Sequence, residues 1–204
     1  MKNTKVSLRS AFILRLAVFS LLLTSAVAFT ASAQTRVPNN VSIFNFGRVN
    51  ENYFRGSQPK PENMAELKRY GIKTVIDLRN DRLDESEGWA KEAGLRYFHI
   101  PLSTKKPATD EEIAHYLELV NDPQNWPIYV HCKGGRHRTG EMTALYRMTS
   151  QNWTADQAYK EMQSYDFEDS WWYPRVLKKF VYSFYDTHKR GSAEAAASGG
   201  STIQ

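Results

Sequence analysis

Three short apolar runs, KTVIDL, RYFHIPL and PIYVHC, are separated by stretches with the spacing of amphipathic helices. That alternation constrains the fold more than any other feature. A run of Val, Ile and Leu without a polar face reads as a strand buried on both sides. Strands alternating with helices give an α/β fold with a central, mostly parallel sheet flanked by helices. The helical stretches carry their own punctuation. KPENMAELKRYG begins at a proline and stops at Gly71, and DESEGWAKEAG stops at Gly94. TDEEIAHYLELVND has an acidic first turn, a cap at Thr109 or Asp110, and a stop before Pro123. A further helix is expected from Thr139 to about Gln151. Thr154 and Gln157 form a capping box for the next one. A last aromatic-rich helix covers roughly Trp171 to His188; its spacing favours core packing, with part of it walling a pocket. Upstream, NFGRVNENYFRGSQP alternates apolar positions with Gly and Asn breaks, as a hairpin or edge strands do.

The ends are different in kind. Lys2, Lys5, Arg9 and Arg15 precede an uncharged run from Leu16 to Phe29, followed by Ala31 and Ala33 before Gln34. Basic, apolar, then small-x-small is the layout of a secretory signal peptide, so residues 1–33 are expected to be cleaved. The alternative is a retained anchor, although the run is shorter than the roughly 20 residues a spanning helix needs. Residues 34–190 are expected to form one folded domain. Gly191 to Gln204 is small and polar and reads as a disordered tail. The formal charge is +5, and removing the four basic residues before Gln34 leaves +1. The basic balance therefore does not argue for nucleic acid, and any cationic surface that matters must be local. Export to a periplasmic or extracellular space would favour disulfides, yet Cys132 is the single cysteine. It is either a packed residue or a free reactive thiol.

Its neighbours decide between these. HCKGGRHRTG joins the end of a buried strand to the start of a helix, the edge at which open α/β sheets bind ligands. Gly134 and Gly135 let the backbone turn tightly, so that N–H groups from Lys133 to Arg138 converge as an anion nest. The positive end of the following helix faces the same point. Arg138 offers a planar fork matched to two phosphate oxygens. Such surroundings lower a cysteine pKa from about 8.5 into roughly the 3.5–7.5 range, which makes a thiolate nucleophile.

Cys132, Gly135, Arg138 and Thr139, preceded by His131, spell C-x-x-G-x-x-R-T. This resembles the signature of cysteine-dependent tyrosine and dual-specificity phosphatases. The stretch from NFGRVNENYFRGSQP to TVIDLR resembles the N-terminal half of the atypical dual-specificity phosphatases of plants and fungi and their bacterial relatives. The likeness covers about Phe44 to Tyr185. It implies that Cys132 attacks phosphorus, that Arg138 and the loop amides stabilise the transition state, and that Thr139 hydrogen-bonds the sulfur. A phosphocysteine is then hydrolysed by water. Lys133, Gly134, Gly135, Arg136 and His137 are the substrate-binding candidates within the loop, and His131 is a supporting scaffold residue. No metal or other cofactor is implied, and no metal-ligand spacing is present. A monomer acting on a phosphorylated peptide or small polyphosphate is expected, with no nucleic acid and no stable span after cleavage.

One part of the family pattern is missing. A general acid usually lies about thirty residues before the cysteine, but His99 to Pro107 holds no carboxylate. Asp110 is the nearest candidate acid, against its competing role as a helix cap. Asp77 and Asp81 are weaker candidates, and Glu141 lies inside the helix after the loop. Lys105 and Lys106 occupy the acid-free loop and, with Arg79 at the end of TVIDL, are candidates for a basic rim around a highly charged substrate. A leaving group that is already a weak base needs little protonation, so a phosphoanhydride fits this gap better than an alkyl phosphate. The family likeness extends to enzymes that act on inositol pyrophosphates. Two alternatives stand beside a phosphatase: a catalytically silent phosphate-binding module and a rhodanese-like sulfurtransferase.

Overall fold

The computed structural model describes residues 41–81, 85–103, 105–168, 170 and 172–199. The segment read as a signal peptide lies outside these residues. Strand β1 (Gly47–Arg48) turns back antiparallel onto β2 (Tyr53–Ser57), the hairpin that the alternating pattern predicts. Helix α1 (Pro61–Arg69) leads to β3 (Thr74–Asp77), and α2 (Glu85–Glu92) leads to β4 (Arg96–His99). Helix α3 (Asp110–Asn121) and a 3-10 turn (Pro123–Asn125) lead to β5 (Ile128–Cys132). Helices α4 (His137–Ser150), α5 (Ala155–Ser164) and α6 (Trp172–Gly199) follow. The strand order is β1-β2-β5-β3-β4, and every pairing except β1 with β2 is parallel.

Strand β5 is central, and its five residues are all buried. Successive side chains on a strand point to opposite faces, which is why these strands lack a polar side. Ile76 and Val130 enter one core with Met142 and Leu145 of α4; Val75 and Tyr129 enter the other with Met64 and Leu67 of α1. Register does the rest. Ser57 lies opposite Cys132, and Asp77 lies opposite His131.

Local signals place most helix ends. Thr109, not Asp110, caps α3: its hydroxyl accepts from the Glu112 amide while Glu112 returns to the Thr109 amide at 2.7 Å. Thr154 and Gln157 form the same reciprocal box on α5. Gly71 ends α1 at φ 99°, a conformation that favours glycine. Helix α4 begins at His137, two residues earlier than expected, because Arg136 already accepts the Gly140 amide at 3.0 Å. Helix α6 continues past Arg190, where the sequence pattern ends the domain, to Gly199.

Helix α4 is buried on nearly every side, so its polar residues need partners. Arg147 supplies the clearest case. Its guanidinium donates to both carboxylate oxygens of Glu161 at 3.0 and 2.6 Å, and stacks over Trp153 at 4.0 Å. Removing one member of a buried pair strands the other charge. Glu161→Ala is expected to lower unfolding free energy by roughly 3–5 kcal/mol. Urea denaturation checks this, and a cost below about 1 kcal/mol, the range of surface pairs, would contradict it.

Candidate active site

The loop Lys133 to Arg136 leaves the centre of the sheet and enters α4 without a break. Cys132 is 3% exposed at the end of β5. Gly135 has φ 67°, and a Cβ there would come 2.5 Å from the Gly56 carbonyl carbon. The loop therefore rests on β2 backbone with no room for a side chain. Three consecutive loop carbonyls have donors outside the loop. Lys133 O accepts from the Gln58 amide at 3.2 Å, Gly134 O from Asn45 Nδ2 at 3.1 Å, and Gly135 O from Arg55 Nη2 at 2.7 Å. Carbonyl dipoles drawn toward the β1–β2 side leave the opposite, N–H side of the same peptides to a ligand. That is the physical basis of an anion nest, and the start of α4 adds to it.

The cation of this site is held from the other flank. Arg138 is 6% exposed, and its Nη1 donates to Leu78 O at 3.3 Å and to Asn80 Oδ1 at 3.2 Å. A guanidinium fixed along one edge keeps its remaining N–H groups for a ligand. His131 is fully buried under the loop, with Nδ1 3.4 Å from the Cys132 carbonyl and 3.8 Å from Asp77 Oδ1. Burial holds its imidazole down at about 4 despite the Asp77 charge, so it is neutral at neutral pH. Lys133 is exposed, and Arg136 and His137 are half-buried. The His137 ring packs edge-on against Phe167 and Tyr173 at 5.4 and 5.7 Å, and burial, then Arg136 and Arg138, push its pKa down. A cavity of about 350 Å³ beside the loop is lined by Arg136, His137, Asp166, Glu168, Trp172 and Tyr173. The start of the aromatic-rich helix thus walls a pocket, and Leu177 and Val181 farther along it pack in the core.

Two expectations are corrected. Arg79 does not face the loop as part of a basic rim. It is 1% exposed, and its Nε and Nη2 bind Asp77 while Nη2 also donates to Ser86 at 3.0 Å. A buried guanidinium needs a carboxylate beside it, and Asp77, two residues earlier, supplies one. Thr139 does not hydrogen-bond the sulfur: its Oγ1 is buried without a partner. A neutral thiol is a weak acceptor, so the hydroxyl gains little by turning to it until the sulfur carries charge. Lys105 and Lys106 are exposed in their loop.

Residues 38–172 match the profile of a family described as DSP-PTPase phosphatase fused to NAD+ kinase. The chain belongs to this phosphatase family. TpbA, a dual specificity protein phosphatase of Pseudomonas aeruginosa, is 29% identical over 146 residues, which are 72% of this chain and 64% of that protein. Inositol diphosphatase DSP4 of Arabidopsis thaliana is 30% identical over 130 residues, 61% of this chain and 65% of that one. The chain thus spans less than two thirds of the length of these relatives. The catalytic core of Siw14 from Saccharomyces cerevisiae superposes with a TM-score of 0.62 at 25% identity, covering 76% of this chain and 94% of that one. Crystalline P. aeruginosa TpbA superposes equally well, with a TM-score of 0.62 at 24% identity over 76% of this chain and 98% of that one.

Against the pattern of these phosphatases, the carboxylates sort by environment. Asp110 is exposed in the first turn of α3, with the capping role taken by Thr109. Burial alone would raise the Asp77 carboxyl, but His131, the Arg79 pair and the Tyr97 hydroxyl hold it at about 2, so it has no proton to give at neutral pH. Glu141 is the opposite. It is 1% exposed in α4, three residues after Arg138, and burial pushes its carboxyl up to about 7. Its Oε1 accepts the Ala108 amide at 3.0 Å, and its Oε2 has no partner. This bond ties the end of the acid-free loop to the helix that begins at the anion nest. Tyr173 stands nearby: burial, then the charges of Glu141 and Cys132, raise its hydroxyl pKa. Asn45, Arg55, Asn80, Glu141 and Tyr173 carry no motif that marks them as site residues in the sequence.

Two outcomes follow from this geometry. Gly135→Ala forces the loop off Gly56 and is expected to lower kcat/KM at least tenfold, about 1.4 kcal/mol, on any substrate the loop binds. Unchanged steady-state kinetics would refute the tight approach. Glu141 has a folded pKa above its ordinary 4.5, so its contribution to stability is fully present below pH 4.5 and lost as pH rises through about 7. His131 works in reverse, because its contribution is present above 6.5 and lost as pH falls through about 4. The two offset each other in the wild type, so the variant isolates Glu141. Glu141→Gln is expected to gain on the wild type by about 3 kcal/mol between pH 4.5 and 7.5. Chemical denaturation across that range measures it, and parallel curves would contradict it.

Proposed function

We propose that this protein is a phosphatase that hydrolyses phosphate monoesters or phosphoanhydrides through a phosphocysteine. The observation that carries this reading is the placement of Cys132 under a loop whose three carbonyls are drawn to one side, with Arg138 fixed at the helix start. In the first step the Cys132 sulfur forms a bond to phosphorus as the bond to the leaving oxygen breaks. The loop amides and Arg138 carry the charge on the equatorial oxygens. In the second step water attacks phosphorus, the S–P bond breaks, and phosphate leaves. Family membership supports this reading over a silent binding module and over a sulfurtransferase.

The substrate class has support from two sides. TpbA is a dual specificity phosphatase and one of its structures holds phosphotyrosine, while DSP4 and Siw14 are named for inositol pyrophosphate chemistry. In this chain the cavity beside the loop has aromatic walls at Trp172 and Tyr173 and carboxylates at Asp166 and Glu168. Aromatic walls suit an aryl phosphate, and carboxylates repel a second phosphate group on that side. Exposed Lys105 and Lys106 are the feature that suits a polyanion. We place the enzyme outside the cytoplasm on the strength of the basic, apolar, small-residue N-terminus.

Purified protein is expected to hydrolyse p-nitrophenyl phosphate, to be inhibited by vanadate, and to ignore a chelator. Cys132→Ser is expected to lose at least about a thousandfold in kcat while still binding phosphate. Full activity in the serine variant would overturn the proposal. Side-by-side kinetics on phosphotyrosine peptides and an inositol pyrophosphate, with Lys105→Ala/Lys106→Ala as the second enzyme, separate the two substrate classes. A loss confined to the pyrophosphate favours the polyanion.

A further inference from the structure

Arg55 lies fully buried on β2, against the underside of the nucleophile loop. Its Nη2 donates to Gly135 O at 2.7 Å, and its guanidinium covers the Tyr165 ring at 3.9 Å. Its Nε and Nη1 have no hydrogen-bond partner. Among the described residues no carboxylate pairs with it. Two of the other buried arginines are matched, Arg79 by Asp77 and Arg147 by Glu161, and the remaining one, Arg138, stands at the start of α4 beside the loop itself. An unmatched buried cation is costly, and an apolar side chain of similar volume would pack at lower cost. Strain or an unpaired charge kept at such a site points to a ligand that compensates it. The register gives the ligand's place. Arg55 is paired with Val130 in the parallel ladder, two residues before Cys132, and its one hydrogen bond goes to the loop that surrounds the anion position.

We infer that Arg55 is a positioning residue whose charge is balanced by the anion that the loop binds. It holds the Gly135 carbonyl away from the anion position and keeps the neighbouring amides turned toward it. It also adds a second buried positive charge beneath the loop, opposite Arg138. Stability of the ligand-free protein is traded for affinity toward a doubly charged phosphoryl group. Asn45 assists on the adjacent peptide, through Gly134 O. This inference rests on the phosphate-site reading given above.

The test compares wild type with Arg55→Met and Arg55→Lys. Each is measured for melting temperature without anion and with inorganic phosphate or vanadate, and for kcat and KM on p-nitrophenyl phosphate. Arg55→Met is expected to melt at or above the wild-type temperature without anion, to lose more than half of the anion-induced rise, and to raise KM about tenfold, the size of one buried charge-assisted hydrogen bond. Arg55→Lys keeps the charge and is expected to recover much of the anion-induced rise. A merely structural arginine gives the opposite result, a lower melting temperature without anion and an unchanged anion-induced rise. That result overturns the inference, as does an equal loss in the Lys and Met variants. If Arg55→Met fails to fold, the charge is structural and the inference is again overturned. Should the wild type itself neither respond to phosphate nor turn over, the phosphate-site reading fails first.

Discussion

The contact between Gly135 and the Gly56 carbonyl sets the shape of everything around it. Parallel pairing of β2 with β5 puts Ser57 opposite Cys132, so the chain leaving β5 must bend across the end of β2. The bend is closed so tightly that a Cβ at Gly135 would sit inside the β2 backbone. Once the loop rests there, its carbonyls meet whatever β2 and the segment before β1 provide. They meet the Gln58 amide, Asn45 and Arg55. The anion nest is thus a consequence of one strand pairing and not a property of the loop alone.

The flank toward β3 is organised by a different kind of force. Asp77, His131, Arg79 and Tyr97 form a buried polar group at the carboxyl ends of β3, β5 and β4. Arg79 and Tyr97 donate to Asp77 and His131 lies 3.8 Å from it, and the Asp77 carboxyl is held down at about 2 while burial holds the His131 imidazole down at about 4. This group anchors the turn that presents Leu78 O and Asn80 to Arg138. Arg138 is therefore fixed by main-chain geometry on one side and by helix α4 on the other. A fork that must meet a phosphoryl group at two points needs such a mounting.

Glu141 connects this arrangement to the remaining loop. Its bond to the Ala108 amide spans 33 residues of sequence and fastens the chain just after Pro107 to α4. The segment that lacks an acid is in this way joined to the helix that starts at the nucleophile loop. Its lysines stay exposed and its end stays fixed. The leaving group that suits the proposed reaction at such a site is one needing little protonation.

Local chemistry was readable before any coordinates. The α/β class, the capping residues Thr154 and Gln157, the stop at Gly71 and the Cys132-to-Arg138 loop depend on neighbours within a few positions, so their pattern is complete in the chain itself. Other decisions needed the fold. Whether Thr109 or Asp110 caps α3 was open because both residue types serve. Arg79 looked like a rim residue because its partner Asp77 is itself a strand residue whose burial no pattern announces. Arg55, Asn45, Asn80 and Glu141 act on partners between 33 and 89 residues away, where sequence order carries no information about distance. The sequence alone determined that a cysteine would sit between a buried strand and a helix start. Only the tertiary structure decided which groups hold that loop's carbonyls, because Arg55 on β2, Gln58 just after it and Asn45 before β1 are brought beneath the loop by strand pairing and not by proximity along the chain.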